Sequence, residues 1–169
     1  VDCFLSTQYV TLNNNAAPYL GGAICSFGSN LELDKSVFSD NNATGSALYT
    51  SKVDFTRITN CLFSANQGRV INSDSTDLTV INCSFVDNSG AATIDCFTHS
   101  TLHLMNSILW NDTDVELEFS NLYTTCYLGY NTLKGGLAGI SGDPALHSFG
   151  PAYSIEPVFE NGTSFRLSD

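Results

Sequence analysis

A short acidic stretch is the first candidate for chemistry in this sequence. Asp112, Asp114 and Glu116 supply three carboxylates, and carboxylate oxygens are the ligands that Ca²⁺ prefers. This group predicts a weak calcium site. The competing interpretation is a solvent-exposed strand face, because Asp114, Glu116 and Glu118 alternate with apolar residues and would point the same way.

Carboxylates suited to sugar chemistry are the second candidate. Polysaccharide hydrolases need two or three carboxylates on one face, and lyases need a basic residue beside calcium-binding acids. Asp40 and Asp87 share a position in the repeat described below, but Ala65 separates them, and a solvated turn explains both. We therefore predict no catalytic residue, no enzyme and no cofactor apart from the calcium candidate. A polysaccharide lyase or hydrolase is the alternative.

The six cysteines carry a redox signal. They form no C-x-x-C pair and match no zinc spacing. An even number of cysteines in an acidic, Lys-poor chain favours an oxidising compartment and at least one disulfide, whereas the alternative is that they are small buried apolar residues. The disulfide candidates are Cys3, Cys25, Cys61, Cys83, Cys96 and Cys126.

Four N-x-S/T sequons are candidate glycosylation sites, at Asn42, Asn82, Asn111 and Asn161. They are acceptors only if the chain passes through a eukaryotic-type secretory route. The chain begins at Val1 without a signal-peptide pattern, so we expect a mature form or a piece of something longer. With the cysteines, these features predict an extracellular or cell-surface location.

The composition argues against several functional classes. The net charge of the 169 residues is −11, with only six Lys and Arg, so a basic nucleic-acid-binding face is not expected. No apolar run approaches the roughly 18 residues of a membrane-spanning helix. Hydrophobic residues make up 43% of the chain and charged residues only 14%, which predicts a folded core rather than disorder.

An internal repeat supplies the elements that must position these residues. Residues 31–41, 56–66, 78–88 and 102–112 align without gaps. Two mostly apolar columns lie two positions apart, which is the period of a strand with one buried face. These columns are Leu31, Thr56, Leu78 and Leu102, and then Leu33, Ile58, Val80 and Leu104.

Other columns predict turns and a side-chain stack. Asn tolerates a left-handed backbone and bonds locally, so Asn marks two turns in each repeat. The first turn is at Asn60, Asn82 and Asn106, and the second is at Asn41, Asn66 and Asn88, with Asp112 as its fourth member. Between them lie a small-residue column of Ser36, Cys61, Cys83 and Ser107, and a predicted stack of Phe38, Phe63, Phe85 and Leu109.

These columns predict an all-β parallel solenoid. About five coils of 22–25 residues, each with three short strands, fit within residues 1–134. Residues 135–169 are loop-like and predict a C-terminal closing or partner-contacting segment of the same domain. A β-sandwich is the alternative, but it would not explain in-register columns of Phe and Asn.

Several short motifs carry a family resemblance. Residues 38–41, 63–66 and 85–88 are F-x-x-N motifs, residues 21–24 are Gly-Gly-Ala-Ile, and residues 106–110 are Asn-Ser-Ile-Leu-Trp. The F-x-x-N and Gly-Gly-Ala-Ile motifs resemble the polymorphic outer membrane protein repeats of right-handed parallel β-helix passenger domains. The Asn-Ser-Ile-Leu-Trp motif resembles a coil found in many secreted bacterial and eukaryotic β-helix proteins. The resemblance implies a right-handed coil and a role in surface display, adhesion or structural filaments. It does not imply an activity, because fold does not fix function.

The repeat also suggests how cysteines would pair. Cys61 and Cys83 occupy one column in adjacent coils, and a Cα separation of about 4.8 Å lies within the disulfide range. Cys3 and Cys25 differ by one repeat length, and Cys96 and Cys126 would then pair across the third face. Six cysteines allow fifteen connectivities, so all three pairs stay hypotheses at this point.

Open solenoid ends lead to the functional hypothesis. Unpaired strand edges recruit another chain unless they are capped, and no amphipathic capping helix is evident at the N-terminus. We expect a non-enzymatic extracellular structural protein that associates end to end or with other surface proteins, either as a filament or appendage subunit or as an adhesin, with glycans as candidate ligands. A carbohydrate-active enzyme or polysaccharide-binding module is the alternative.

Overall fold

The structure is a computed structural model that describes residues 3–120, 123–148 and 150–157. Within these residues the chain forms β-strands and a single short 3₁₀ helix. The strands are β1 (Cys3–Gln8), β2 (Thr11–Asn13), β3 (Ala16–Ala17), β4 (Ile24–Phe27), β5 (Ser29–Asp34), β6 (Val37–Ser39), β7 (Asn42–Thr59), β8 (Leu62–Ser64), β9 (Gln67–Ile81), β10 (Ser84–Phe97), β11 (Thr101–Met105), β12 (Ile108–Phe119), β13 (Thr125–Gly129), β14 (Asn131–Leu133), β15 (Ile140–Gly142), β16 (Ala145–Ser148) and β17 (Ala152–Tyr153), and the 3₁₀ helix spans Gly136–Gly139.

The strands stack as a parallel solenoid, which confirms the predicted fold class. Every pairing among the described strands is parallel and joins one coil to the next. One column of the first sheet has seven levels, so the chain makes about six turns rather than the five expected. Its residues are Leu5, Leu31, Thr56, Leu78, Leu102, Cys126 and Leu146.

The strands of the middle coils are longer than the short segments expected. The strands β7, β9, β10 and β12 run for 18, 15, 14 and 12 residues, because pairing with the adjacent coil continues on both sides of a corner. At one corner Lys52 in β7 and Ser75 in β9 hold positive φ values of 55° and 53°. Glycine permits one such corner: a Cβ on Gly68, at φ +92°, would lie 2.1 Å from the carbonyl oxygen of Ala43. A Cβ on Gly90 would meet the carbonyl oxygen of Gly68 at 2.4 Å. Neighbouring backbones therefore occupy the space that a side chain would need.

The core is a set of side-chain stacks inside the coil. Phe38, Phe63 and Phe85 are fully buried, with ring centroids 4.6 and 4.7 Å apart and planes within 13°. Leu109 continues the stack in register with Phe85. These distances equal the spacing of parallel strands, so each ring lies directly on the ring of the adjacent coil.

The described strands after position 134 lie over the last full coil. The strand β15 pairs with β12, β16 with β13, and β17 with β14. Strand pairing therefore continues beyond the predicted boundary, through residue 153. The segment is more exposed than the coils below it, since Leu146 is 43% and Tyr153 is 50% exposed.

Candidate functional site

The ends of the solenoid differ sharply from its middle. In the seven-level column, Leu5 is 47% exposed and Leu146 is 43% exposed, whereas the five residues between them are 0% exposed. Leu5 lies in β1, which pairs with β5, and Leu146 lies in β16, which pairs with β13. Two positions that are core positions everywhere else are thus open to solvent at opposite ends of the molecule.

The first turn has the backbone geometry that its sequence column predicts. Asn60, Asn82 and Asn106 have φ values of 55°, 55° and 49°. Lys35 and Tyr130 hold the same conformation in the flanking coils, with φ of 48° and 57°. The exposed amides also bond along the column, since Asn82 Nδ2 donates to Asn60 Oδ1 at 3.3 Å and Asn60 Nδ2 donates to Asp34 Oδ1 at 2.7 Å.

The second turn holds a buried asparagine ladder. Asn66 donates from Nδ2 to the carbonyl oxygen of Phe38 and to Asn88 Oδ1, both at 2.9 Å, and its Oδ1 accepts from Asn41. Asn88 repeats this pattern toward Asn111. Each side chain therefore satisfies backbone groups of the corner and joins adjacent coils.

The gapless alignment assigned the wrong residue to the fourth position of this ladder. Asn111, and not Asp112, stands opposite Asn88, and a register shift between Val86 and Ser89 absorbs the difference. In the other coils this turn contains a residue with positive φ, namely Asp40, Ala65 and Asp87. The fourth coil lacks that residue, so its turn is one position shorter.

The acidic stretch does not converge on a common point. Glu116 is 2% exposed, and its carboxylate accepts from Asn111 and from the Thr93 hydroxyl. Asp112 pairs with Lys134 at 3.0 Å, and Asp114 is exposed. The expectation that Glu116 lies on a solvent face is wrong, because it ends the asparagine ladder. No cluster of three potential metal ligands occurs among the described residues.

An ion-pair cluster appears that the sequence analysis missed. Arg69 Nε lies 2.7 Å from Asp95 Oδ2, and Arg69 NH2 lies 3.0 Å from Glu118 Oε2. Burial raises the pKa of Asp95, although hydrogen bonding from Ser120 and the charge of Arg69 oppose that shift. The register pairs Asp95 with Glu118 in adjacent coils, and the side chain of Arg69, in the coil before Asp95, reaches both.

The cysteines fall into three groups, and all six are free thiols in the structure. Cys61 and Cys83 share a column, as expected. Cys3 and Cys25 do not, because Cys3 pairs with Ser29 and Cys25 with Tyr49. The repeat between these first coils is 26 residues long, so an offset of 22 does not bring them into register.

Cys96 and Cys126 form the last group. Both are fully buried, and they belong to different columns, in β10 and β13. Burial raises the pKa of Cys96 well above its usual value and that of Cys126 to about 12. Both are therefore protonated at neutral pH and are poor nucleophiles.

The sequons have different environments. Asn42 and Asn82 are exposed, whereas Asn161 lies outside the described residues. Asn111 is 2% exposed and donates its amide hydrogens to Thr93 and Glu116. A glycan at Asn111 is incompatible with this packing, so Asn111 is not a candidate glycosylation site in the folded chain.

A cavity of about 530 Å³ lies beside the C-terminal coil. Tyr130 and Tyr153 flank it and are 63% and 50% exposed. Asn106, Thr132 and Glu156 are among its other lining residues, and most of its exposed lining is apolar. Exposed aromatic rings in such a lining are suited to ligands that have an apolar face.

Comparison with known proteins identifies the fold family. The model of the right-handed β-helix region matches residues 3–140. The chain belongs to the right-handed β-helix family. No curated protein and no solved structure gave a significant match. Among the described residues of this β-helix, no helix is long and apolar enough to cross a membrane.

Proposed function

We propose that this β-helix is a non-enzymatic structural or adhesive module that assembles end to end through its two open coils. The single observation that carries the proposal is the exposure of Leu5 and Leu146, at core positions whose equivalents in the intervening coils are 0% exposed. Apolar surface of this kind is stabilised by burial, and an open parallel edge offers backbone groups for pairing. The occupant that fits both ends is a second copy of this chain.

The difference between the two ends of the solenoid favours head-to-tail contact. The two ends present different strands, β1 at one end and β16 at the other. A contact between unlike surfaces that does not close on itself produces open filaments. Parallel stacking of β16 of one copy under β1 of the next would continue the existing strand direction.

The proposed location is extracellular or at a cell surface. Support comes from the six cysteines, the two exposed sequons at Asn42 and Asn82, and the scarcity of Lys. The resemblance to polymorphic outer membrane protein repeats, carried by the F-x-x-N motifs, supports surface display. Filament subunit and adhesin are the two forms of this proposal.

Complementary end variants test the assembly. Leu5→Asp and Leu146→Asp each place a charge in one end, and Tyr123→Asp is the control on an exposed lateral turn. Sedimentation velocity over a concentration series should show polymers for the parent chain and the control, and monomers for each end variant. An equimolar mixture of the two end variants should form dimers, because one intact end of each kind remains.

Each other outcome is informative. Dimers formed by one end variant alone would indicate like-with-like contact and would overturn the head-to-tail arrangement. A parent chain that stays monomeric at all concentrations would overturn end-to-end assembly altogether. Negative-stain images of the parent chain should show rods whose width is that of a single solenoid.

The cavity beside Tyr130 and Tyr153 favours polysaccharide binding as a second candidate function. Affinity electrophoresis in gels containing xylan or soluble starch would detect it as retarded migration. Tyr130→Ala and Tyr153→Ala should restore free migration, whereas Tyr19→Ala, which removes an even more exposed ring elsewhere, should not. Unchanged migration of the parent chain with these neutral polysaccharides would count against this candidate.

A further inference from the structure

The small-residue column between the Asn turns and the Phe stack has one recurrent hydrogen-bonding role. Ser36 and Ser107 donate from Oγ to the carbonyl oxygen two residues earlier, each at 2.8 Å. Each also accepts a backbone N–H from the preceding coil, from Val10 at 3.3 Å and from Cys83 at 3.2 Å. A hydroxyl at this position therefore donates to a carbonyl oxygen of its own coil and accepts a backbone N–H of the preceding coil.

Cys61 and Cys83 fill the same role with weaker groups. Their Sγ atoms donate to the carbonyl oxygens of Thr59 and Ile81, each at 3.2 Å, and Cys83 Sγ accepts the backbone N–H of Cys61 at 3.5 Å. Thiols are poorer donors and acceptors than hydroxyls. Serine would serve the column at least as well, so hydrogen bonding alone does not account for two adjacent cysteines.

Their placement suits a covalent bond. The backbone N–H of Ser84 donates to the carbonyl oxygen of Cys61 at 3.0 Å, which keeps the two coils in register at this point. Neighbouring parallel strands are about 4.8 Å apart, and disulfides span Cα separations of 4.4–6.8 Å. The two side chains are also close enough for each to shift the pKa of the other.

We propose that Cys61 and Cys83 form a disulfide that staples two adjacent coils of the solenoid. The bond would close a loop of one complete coil, since the two residues are 22 positions apart. The other cysteines lack this stacked placement in one column: Cys3 and Cys25 are out of register, and Cys96 and Cys126 stand in different columns.

The chemistry requires an external disulfide as oxidant. The hydrogen bond from Cys83 lowers the pKa of Cys61, whereas the same contact and burial raise the pKa of Cys83 well above its usual value. Either thiol can attack as its thiolate while the chain folds. It displaces one thiolate from the oxidant and forms a mixed disulfide, and the other thiol then loses its proton and attacks the protein sulfur of the mixed disulfide, which releases the second thiolate. Two protein thiols are oxidised, and one external disulfide is reduced to two thiols.

Refolding in a glutathione redox buffer tests the staple, because oxidation during folding does not depend on access to the finished core. Peptide mapping under non-reducing conditions should recover the segments around Cys61 and Cys83 as one linked species, lighter by two hydrogens. The thermal midpoint should exceed that of the reduced chain by about 5–10 °C. The double variant Cys61→Ser/Cys83→Ser should fold, since serine occupies this column at 36 and 107, and its midpoint should not respond to reductant.

Two results would overturn the proposal. One is a parent chain whose Cys61 and Cys83 remain fully alkylatable after refolding and denaturation. The other is linkage of either residue to a different cysteine. Cys96→Ser/Cys126→Ser is the matched control, in which the link between Cys61 and Cys83 and the response to reductant should persist.

Discussion

Asn66 and Asn82 have the same side chain and recur at similar spacing along the chain, but they occupy opposite environments. Asn66 is 0% exposed and exchanges hydrogen bonds with Asn41, Asn88 and the carbonyl oxygen of Phe38. Asn82 is exposed, has φ of 55°, and donates its side-chain amide to Asn60 at 3.3 Å. One column is selected for its amide group, and the other for its tolerance of a left-handed backbone.

This difference explains why the two ladders end differently. The buried ladder ends at Glu116, whose two carboxylate oxygens accept hydrogen bonds from Asn111 and Thr93. The exposed ladder meets Asp34, which accepts from Asn60 and Thr59. A buried amide row needs an acceptor at its end, because an unpaired N–H inside the protein costs free energy. At the surface, water would satisfy the same group.

Removal of a buried amide should have the largest effect. Asn66→Ala leaves the backbone N–H and one side-chain N–H of Asn41 without an acceptor, and it removes the side-chain donor to the carbonyl oxygen of Phe38. We expect a loss of about 3 kcal/mol in the free energy of unfolding, measured by chemical denaturation. Gln67→Ala, at the exposed neighbouring position, is the control. A loss near that of the control would contradict the proposed role of the ladder.

Replacement of the ladder's terminal carboxylate should have the next largest effect. Glu116→Gln introduces an NH₂ group where both carboxylate oxygens now accept hydrogen bonds. We expect a loss of about 2 kcal/mol in the free energy of unfolding, because donors then face donors. Asp114→Asn, at an exposed position of the same stretch, should change it little. Equal effects of the two substitutions would show that Glu116 is not needed as an acceptor.

In the exposed ladder, backbone conformation should matter more than the amide. Asn82→Ala places an alanine at φ 55° and should cost about 1 kcal/mol. Asn82→Gly should cost about 0.5 kcal/mol or less, because glycine adopts this conformation freely. Denaturation of both variants checks the order. A larger loss of unfolding free energy for Asn82→Gly than for Asn82→Ala would contradict this prediction, because backbone conformation would then not be what matters at position 82.

The smallest expected effect is a change in the pKa of Asp34. The hydrogen bond from Asn60, followed by that from Thr59, lowers the pKa of Asp34 below its ordinary value. Because the folded-state pKa is the lower one, Asp34 stabilises the fold at neutral pH, and this contribution disappears as the pH falls through the folded-state pKa. Asn60→Ala should raise the pKa of Asp34 toward 3.8, as followed by NMR titration of its carboxyl carbon. Asn106→Ala, whose position lies two coils from Asn60, should leave that pKa unchanged.

The columns of the repeat were predictable because a solenoid brings each residue next to its own equivalent in the adjacent coil. The alignment therefore gave tertiary contacts directly, and Phe38, Phe63 and Phe85 stack as their column predicts. The same reasoning failed where a coil departs from the repeat. The shortened turn of the fourth coil moved Asn111 into the ladder, and a one-residue gap in the alignment would have revealed it.

Contacts outside the columns were not predictable from local pattern. Alternation assigned Glu116 to a solvent face, but the chain turns a corner there and buries it against Thr93. Arg69 reaches Asp95 and Glu118 across coils. No periodicity in the sequence joins these three residues, because their proximity depends on side-chain reach across the sheet.

The sequence by itself determined the coil, its strand period, its turns and the identity of the stacked columns, since each of these follows from residue types repeated at nearly constant spacing. The tertiary structure decided which of two similar asparagine columns is buried, which cysteines share a column, and that the core positions at Leu5 and Leu146 are open. Burial and register depend on the stacking of coils. A small change in coil length, such as 26 residues in place of 22, changes which residues lie opposite each other but leaves the repeated residue types the same.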